Sequence, residues 1–451
     1  MIDFTHDASR TSWADDGSAE GFGIQNLPYC VFKADGDPEA RIGCGIGNQV
    51  LDVGQLARSG CLVELENSIT DVQTLSAMRS LVLNDLMALP ATERVAIRKA
   101  LSEVLDSKTE LVQNDDELRR SMMYSLEDVE LQMPVRVGDF TDFYASLDHA
   151  TNVGSMFRPD NPLMPNYKWV PIAYHGRSSS VVLSGSPVRR PSGQIGGSDS
   201  RPPEFLPSRR LDYELELGIW TAVGNELGQP VDVRFAREEL FFGVSLLNDW
   251  SARDIQRWEY QPLGPFLGKN FSTSIAPWIV TRESLVPFRC PSFERVDGPK
   301  PLEYLYDKTD EESGGLKIRM EVYLQTAKMQ ASGIAPERIS HSDTSRLFWT
   351  VAQMLTHHAS NGCNLRPGDL FGSGTVSGPR RENRGCLLEL TWAGDSENVQ
   401  PGSARTPLSL SNGERREFLD DGDEVILRGV CEAEGFAKIS LGECRGKILP
   451  A

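Results

Sequence analysis

The chain reads as a mostly β protein in two parts: a small N-terminal barrel or roll carrying a helical segment, then a large β-rich domain. Three observations predict this. Short apolar runs broken by Gly- and Asp-rich turns fill residues 29–53. Beyond residue 135, strand-like runs alternate with long Pro- and Gly-rich loops, and clear helical spacing of apolar residues occurs at only two places in the chain. A length of 451 residues suits two or three domains and a substantial core.

In chain order, residues 29–32, 40–46 and 49–53 read as the first strands. Ile97, Leu101, Val104 and Leu105 then repeat at helical spacing behind Pro90, with Thr92 as capping candidate. A polar, acidic stretch at 113–117 and then Pro134 place a boundary that divides the chain into 1–135 and 136–451. The Pro- and Arg-rich segment 189–210 reads as a long loop. Residues 211–220 alternate as a strand and 240–247 have the length of a buried one, ending abruptly in Asn248-Asp249. A helix follows around Phe348, Val351, Ala352 and Leu355, with Ser345 as its cap and Gly362 as its stop. Leu387-Leu388-Glu389-Leu390 reads as a buried strand interrupted by one acid.

Charge and composition narrow the function. A net charge of −18 and a pI near 4.9 argue against nucleic acid or an anionic membrane as partner. No apolar run reaches the ~18 residues of a spanning helix. The first residues lack the basic and apolar blocks of a signal peptide, so the expected compartment is the cytoplasm. The eight scattered cysteines show no C-x-x-C pair and fit reduced packing residues.

Within 211–220, Glu214 and Glu216 lie two apart and share a strand face. Paired charges on a core strand cost several kcal/mol unless offset, so either a cation sits there or the strand is an edge with a solvated acidic face. Asp249 at a strand end and Asp142 would complete an all-oxygen cluster suited to a hard cation such as Ca²⁺, Mg²⁺ or Mn²⁺. On residue type alone, His149 reads first as an ordinary hydrogen-bonded histidine. Arg253 reads as half of an ion pair with Asp254 or Glu259, and Lys269 as a surface cation. His357 and His358, adjacent at a helix end, read as structural, and His175 as support for a turn.

Taken together, the motifs are more specific. Asp139-Phe140-Thr141-Asp142-Phe143-Tyr144, His149-Ala150-Thr151-Asn152-Val153-Gly154, Tyr174-His175-Gly176-Arg177 and Glu214-Leu215-Glu216 occur in that order. Asn248-Asp249-Trp250-Ser251-Ala252-Arg253-Asp254-Ile255-Gln256 and Pro262-Leu263-Gly264-Pro265-Phe266-Leu267-Gly268-Lys269 follow, then Thr356-His357-His358 and Gly374-Thr375-Val376-Ser377-Gly378. From about residue 23 to the C-terminus the chain resembles the fumarylacetoacetase family.

The resemblance implies an SH3-like N-terminal barrel, a large C-terminal β-roll and a homodimer. It implies hydrolysis of the carbon–carbon bond of 4-fumarylacetoacetate to fumarate and acetoacetate, the last step of tyrosine catabolism. Asp142, Glu214, Glu216 and Asp249 match the family's Ca²⁺ ligands, and Asp249, Lys269 and Thr273 a neighbouring Mg²⁺ site. His149 matches the catalytic base. Tyr144, Arg158, Gln256, Tyr260 and Thr375 match substrate contacts, and Arg253 and Glu389 further catalytic groups, with Tyr174 lining the pocket. The loop 379–385 is more basic, and 306–315 more acidic, than the family pattern leads one to expect.

The chemistry asks for such a set. Water can break a C–C bond when the leaving carbanion departs as an enolate whose charge is held by a cation or fixed donors. Arg253, Gln256 and Lys269 supply donors, His149 would deprotonate the water, and Glu389 would orient its ring. If residues 142–149 are helical, Asp142 and His149 stand about 10 Å apart on one face. Related diketo-acid enzymes, an acylpyruvate hydrolase or an oxaloacetate decarboxylase, share the acidic cluster. They are generally shorter and lack the N-terminal domain together with the Tyr144, Arg158 and Tyr260 set. A non-catalytic metal-binding scaffold would have lost His149, Glu389 or Lys269, and all three are present.

Overall fold

The computed structural model describes residues 1–451 except 18, 297 and 395–403. Strands β1 (Tyr29–Ala34), β2 (Arg41–Ile46), β3 (Gln49–Asp52), β4 (Met123–Ser125) and β5 (Val129–Gln132) form an antiparallel N-terminal sheet in the order β4-β3-β2-β1-β5. Side chains close over Gly43, where a Cβ would lie 2.4 Å from Val50 and 2.8 Å from the Cys30 sulfur.

Between β3 and β4 the chain is helical. In α1 (Ala91–Val104) the apolar stripe of Ile97, Leu101 and Val104 is fully packed, as the spacing predicts. Its N-terminus is not capped by Thr92: Pro90 holds the cap position and the Ala91 N–H donates to Glu239. The polar stretch 113–117 belongs to two short helices, Glu110–Gln113 and Asp116–Met122, the second capped by Asp115. Elements this short contain too few turns to leave a periodic signal.

The central sheet has eight strands, seven of them in one line: β6 (Phe140–Phe143), β7 (Ala173–His175), β8 (Val181–Leu183), β9 (Leu215–Thr221), β10 (Phe241–Asp249), β11 (Thr273–Ile275) and β12 (Leu370–Gly372). Their order is β7-β6-β12-β9-β10-β11-β8, with Val280–Thr281 beside β10. Alternation sends side chains to two different cores. Leu215, Leu217, Ile219, Val244 and Leu246 pack toward a second sheet formed by 319–325, 337–343, 424–431, 439–449 and 188–189. Phe140, Trp220, Leu247, Ile275 and Leu370 face the N-terminal helices and strands, so one continuous apolar core joins residues 1–135 to the rest.

Four further predicted features differ. Residues 142–149 are not one helix: Asp142 lies within β6, which runs on to Phe143, and α2 (Leu147–Phe157) begins only after Ser146, an extended residue that caps it. The segment 189–210 contains a hairpin of Ser192–Ile195 with Glu204–Pro207, whose mostly exposed four-residue strands lack apolar alternation. A helix α3 (Arg253–Glu259) carries Arg253 and Gln256 one turn apart. In α4 (Val351–Ala359) the cap is Thr350, reciprocated by Gln353, while Ser345 lies in a separate 3₁₀ turn. Leu387–Leu390 is a single helical turn, α5, rather than a strand. Four consecutive buried residues read the same in either conformation.

All eight cysteines are free thiols. Among the described residues no helix is long and apolar enough to cross a membrane.

Candidate active site

Strand register gathers the acids. Glu216 pairs with Leu247, two residues before Asp249, and Asp249 pairs with Thr273. Gly218, two residues after Glu216, pairs with Gly372, which pairs with Asp142, which pairs with Tyr174. Paired residues and those two apart share a face, so Asp142, Glu216, Asp249, Thr273 and Tyr174 all emerge on one side of the sheet. Glu214 immediately precedes β9. The ligand oxygens of Asp142, Glu214, Glu216 and Asp249 lie within 4.8 Å of one another, and all four residues are buried. Gly372 leaves the space between them: a Cβ there would stand 2.4 Å from Asp142 Oδ1 and 2.6 Å from Glu216 Oε2.

Two cations enter the cluster. Lys269 Nζ donates to Glu214 and, at 2.7 Å, to Asp249 Oδ2, while Arg253 Nη1 donates to Glu214 Oε1 at 2.6 Å. Burial opposes the charge on Glu214, but Lys269 and Arg253 prevail and hold its carboxyl well below the usual range. Asp142 and Glu216 lack such partners. Burial, compounded by the neighbouring carboxylates, pushes both well above the usual range. Asp142 Oδ1 and Glu216 Oε1 accept no hydrogen bond among the described residues. Buried acceptors without donors, on an all-oxygen set with more carboxylates than counter-charges, fit a hard divalent cation.

Asp249 is also bonded by Thr273 Oγ1 at 2.6 Å and by the Tyr174 hydroxyl at 2.6 Å. Although burial disfavours its charge, Asp249 and Glu214 keep Lys269 protonated well above the lysine range. An ammonium has no lone pair, so Lys269 supplies counter-charge rather than ligation. A crevice lined by Tyr174, Asp249, Phe266, Lys269 and Thr273 reaches the cluster from this side.

The second centre is His149 on α2 and Glu389 on α5. His149 Nδ1 lies 2.7 Å from Glu389 Oε2. Asn152, one turn beyond His149, donates to Glu389 Oε1 at 2.8 Å, and Ser377 Oγ to Oε2 at 2.8 Å. Burial raises a carboxyl's pKa, yet His149 and these donors hold Glu389 at about 2. An ionised carboxylate accepts only, so Nδ1 carries the proton of this bond, and in the neutral ring the lone pair is on Nε2. Cys386 Sγ also donates to Glu389, at 3.2 Å, and burial beside that carboxylate keeps the thiol protonated.

Around these centres, the Tyr144 ring meets His149 edge-on at 5.2 Å. Gln256 Oε1 accepts from Arg253 Nη1 at 3.3 Å. Arg253 Nη2 and Thr375 Oγ1 are buried polar atoms without a hydrogen-bond partner among the described residues. Arg158 and Tyr260 lie outside this buried network, on the exposed C-terminal ends of α2 and α3. His358 bonds Thr141 Oγ1 at 3.0 Å and His357 bonds the Tyr304 hydroxyl at 2.9 Å, as structural side chains do.

Sequence reasoning missed Asp212, Asn152, Ser377, Cys386 and Arg384, whose Nη1 donates to the Glu389 carbonyl at 2.7 Å. Two left a signal: Asp212 continues the period-two spacing of Glu214 and Glu216, and Asn152 stands three residues after His149. The acidic segment predicted at 306–315 is a capped helix, Lys308–Ser313, whose buried Asp310 accepts from Thr350.

The chain matches known proteins along most of its length. Residues 139–448 match the family model described as fumarylacetoacetate (FAA) hydrolase C-terminal, and 25–134 that described as fumarylacetoacetase N-terminal. The chain is 43% identical over 433 residues to the fumarylacetoacetase of Homo sapiens, covering 95% of this chain and 96% of that protein. It is 44% identical over 441 residues to that of Arabidopsis thaliana, covering 98% of each. With both family models and nearly the whole length of such relatives matched, the chain belongs to the fumarylacetoacetase family.

Proposed function

We propose that the protein hydrolyses 4-fumarylacetoacetate to fumarate and acetoacetate as the last step of tyrosine breakdown. One observation carries the reading: a buried, oriented His149–Glu389 dyad beside a buried carboxylate cluster with unpartnered oxygens, in a chain of this family. Asp142, Glu214, Glu216 and Asp249 would hold Ca²⁺, and Mg²⁺ would sit beside Asp249 and Thr273 next to the Lys269 charge. When bound, the cation would supply Lewis-acid polarisation of a substrate carbonyl.

The chain's residues do the rest. His149 Nε2 takes a proton from water while Glu389 stabilises the imidazolium that results. The hydroxide adds to the carbonyl carbon on the fumaryl side. The C–C bond then breaks, its electron pair leaves on the acetoacetate fragment as an enolate, and a proton returns to that carbon. Arg253 Nη2 and the remaining Lys269 N–H stabilise developing negative charge, with Gln256 orienting Arg253. Thr375, Tyr144 and Tyr174 line the substrate, and Arg158 and Tyr260 would close on its exposed end. The division at residue 135 assigns residues 1–135 the part of a support that buries one face of the catalytic sheet.

Incubating purified protein with fumarylacetoacetate and following loss of its ultraviolet absorbance tests the activity. Turnover of an acylpyruvate or of oxaloacetate in its place would overturn the substrate assignment. Chelator treatment is expected to abolish activity and lower the Tm, with Ca²⁺ or Mg²⁺ restoring both. Full activity in a sample shown metal-free by elemental analysis would remove the cation from the scheme. The homodimer and the cytoplasmic location rest on the family likeness, and sedimentation and fractionation test them.

A further inference from the structure

Asp212 belongs neither to the carboxylate cluster nor to the His149–Glu389 pair, yet it touches what holds each of them. It is fully buried, at 0% exposure. Its Oδ2 accepts from Arg253 Nε at 2.9 Å and from the Leu388 N–H at 2.9 Å. Its Oδ1 accepts from the Leu387 N–H at 2.8 Å and from the Tyr213 N–H at 2.9 Å. Arg253 continues to Glu214 of the acidic cluster, and Leu387 and Leu388 open α5, whose third residue is Glu389.

Helix α5 has four residues and no side-chain cap from Cys386. So short a turn does not persist without external partners, because nucleation costs more than its few hydrogen bonds return. Asp212 accepts its first orphan N–H groups and places negative charge at the positive end of the turn. Arg384 binds the Glu389 carbonyl at the other end. Glu389 is therefore held from below by Asp212 and from above by Arg384, and the same Asp212 carboxylate grips the arginine of the cluster.

We infer that Asp212 is a positioning residue that locks the turn bearing Glu389 to Arg253, so that the base and the acidic cluster keep one spacing. The inference deepens the hydrolase reading and rests on it. Asp212 acts through Arg253 and Glu389 and takes no proton.

Asp212→Asn tests it, because the amide matches the carboxylate in size but turns an NH₂ toward a donor. The variant is expected to keep its far-ultraviolet circular dichroism and bound cation. Its kcat should fall about 10- to 100-fold with KM within about threefold of wild type. In ¹H NMR, the downfield resonance of the His149 Nδ1–H, assigned by its loss in His149→Gln, should move upfield or vanish. A lowered Tm with unchanged kcat and an unchanged resonance would reduce Asp212 to a packing residue and overturn the inference. If the variant does not fold, hydrogen exchange in the wild type decides. Cation removal should speed exchange in 384–392 at least about tenfold more than in 424–431, and equal acceleration of the two segments overturns the lock. The NMR and exchange readouts need no turnover. A wild type inert toward fumarylacetoacetate would sink the hydrolase reading and leave these results interpretable.

Discussion

His149 and Glu389 are the residues on which the proposed reaction turns. His149→Ala should leave fold and cation content intact and cut kcat by about 10²–10⁴, the usual contribution of a positioned base. Near-wild-type kcat would mean another group activates the water. Because Glu389 acts through the imidazole, Glu389→Gln combined with His149→Ala should cost little more than His149→Ala alone, and additive losses in that cycle would place Glu389 elsewhere. His358 offers a separate test. Burial, then the neighbouring His175 and His357, lowers its pKa from 6.5 to about 4. The unfolded chain then takes the proton first, so stability is complete above pH 6.5 and is lost as pH falls toward 4. His358→Gln should flatten the fall of Tm across that window, and an unchanged slope would assign the acid sensitivity to other groups.

Strand register, more than any single side chain, makes the carboxylate cluster. Asp142 and Glu216 come from strands separated by β12, and Gly372 is the gap through which they meet. Gly372→Ala would put a methyl 2.4 Å from Asp142 Oδ1, a distance neither neighbour can accept without moving. The substitution should weaken cation binding by at least about tenfold, read by calorimetric titration, while circular dichroism stays that of the wild type. Unchanged affinity would show that the two oxygens do not share a ligand. The element-level errors have one cause. Turns and four-residue helices such as α5 are set by partners distant in sequence, Asp212 and Arg384 among them, and local periodicity does not register those partners.

At the scale of the molecule, the sheet face that carries the acids also carries Phe140, Trp220, Leu247, Ile275 and Leu370 into contact with residues 1–135. Arg98 fastens that junction. It is buried, and its donors reach Thr5 Oγ1 at 3.1 Å, the Asn26 carbonyl at 3.0 Å, the Gln25 carbonyl at 2.6 Å and Ser284 Oγ at 2.8 Å. Arg98→Met would strip these acceptors of their donor, at a cost on the order of 3–5 kcal/mol. A urea midpoint equal to wild type would show the junction held by apolar packing alone.

What the amino-acid sequence determined by itself was the mostly β character of the chain and the family to which it belongs. Strand alternation at 211–220 puts Glu214 and Glu216 on one face by geometry that needs no tertiary context, and long ordered motifs from 139 to 378 carry the family. Only the tertiary structure decided that Glu389 sits on a helical turn facing His149, 240 residues away in the chain, and that Asp212 joins the two halves of the site. The physical reason is range. Alternation and helical spacing are local consequences of backbone geometry. A hydrogen bond between residues hundreds of positions apart depends on how sheets and turns pack, and nothing in the adjacent residues encodes it.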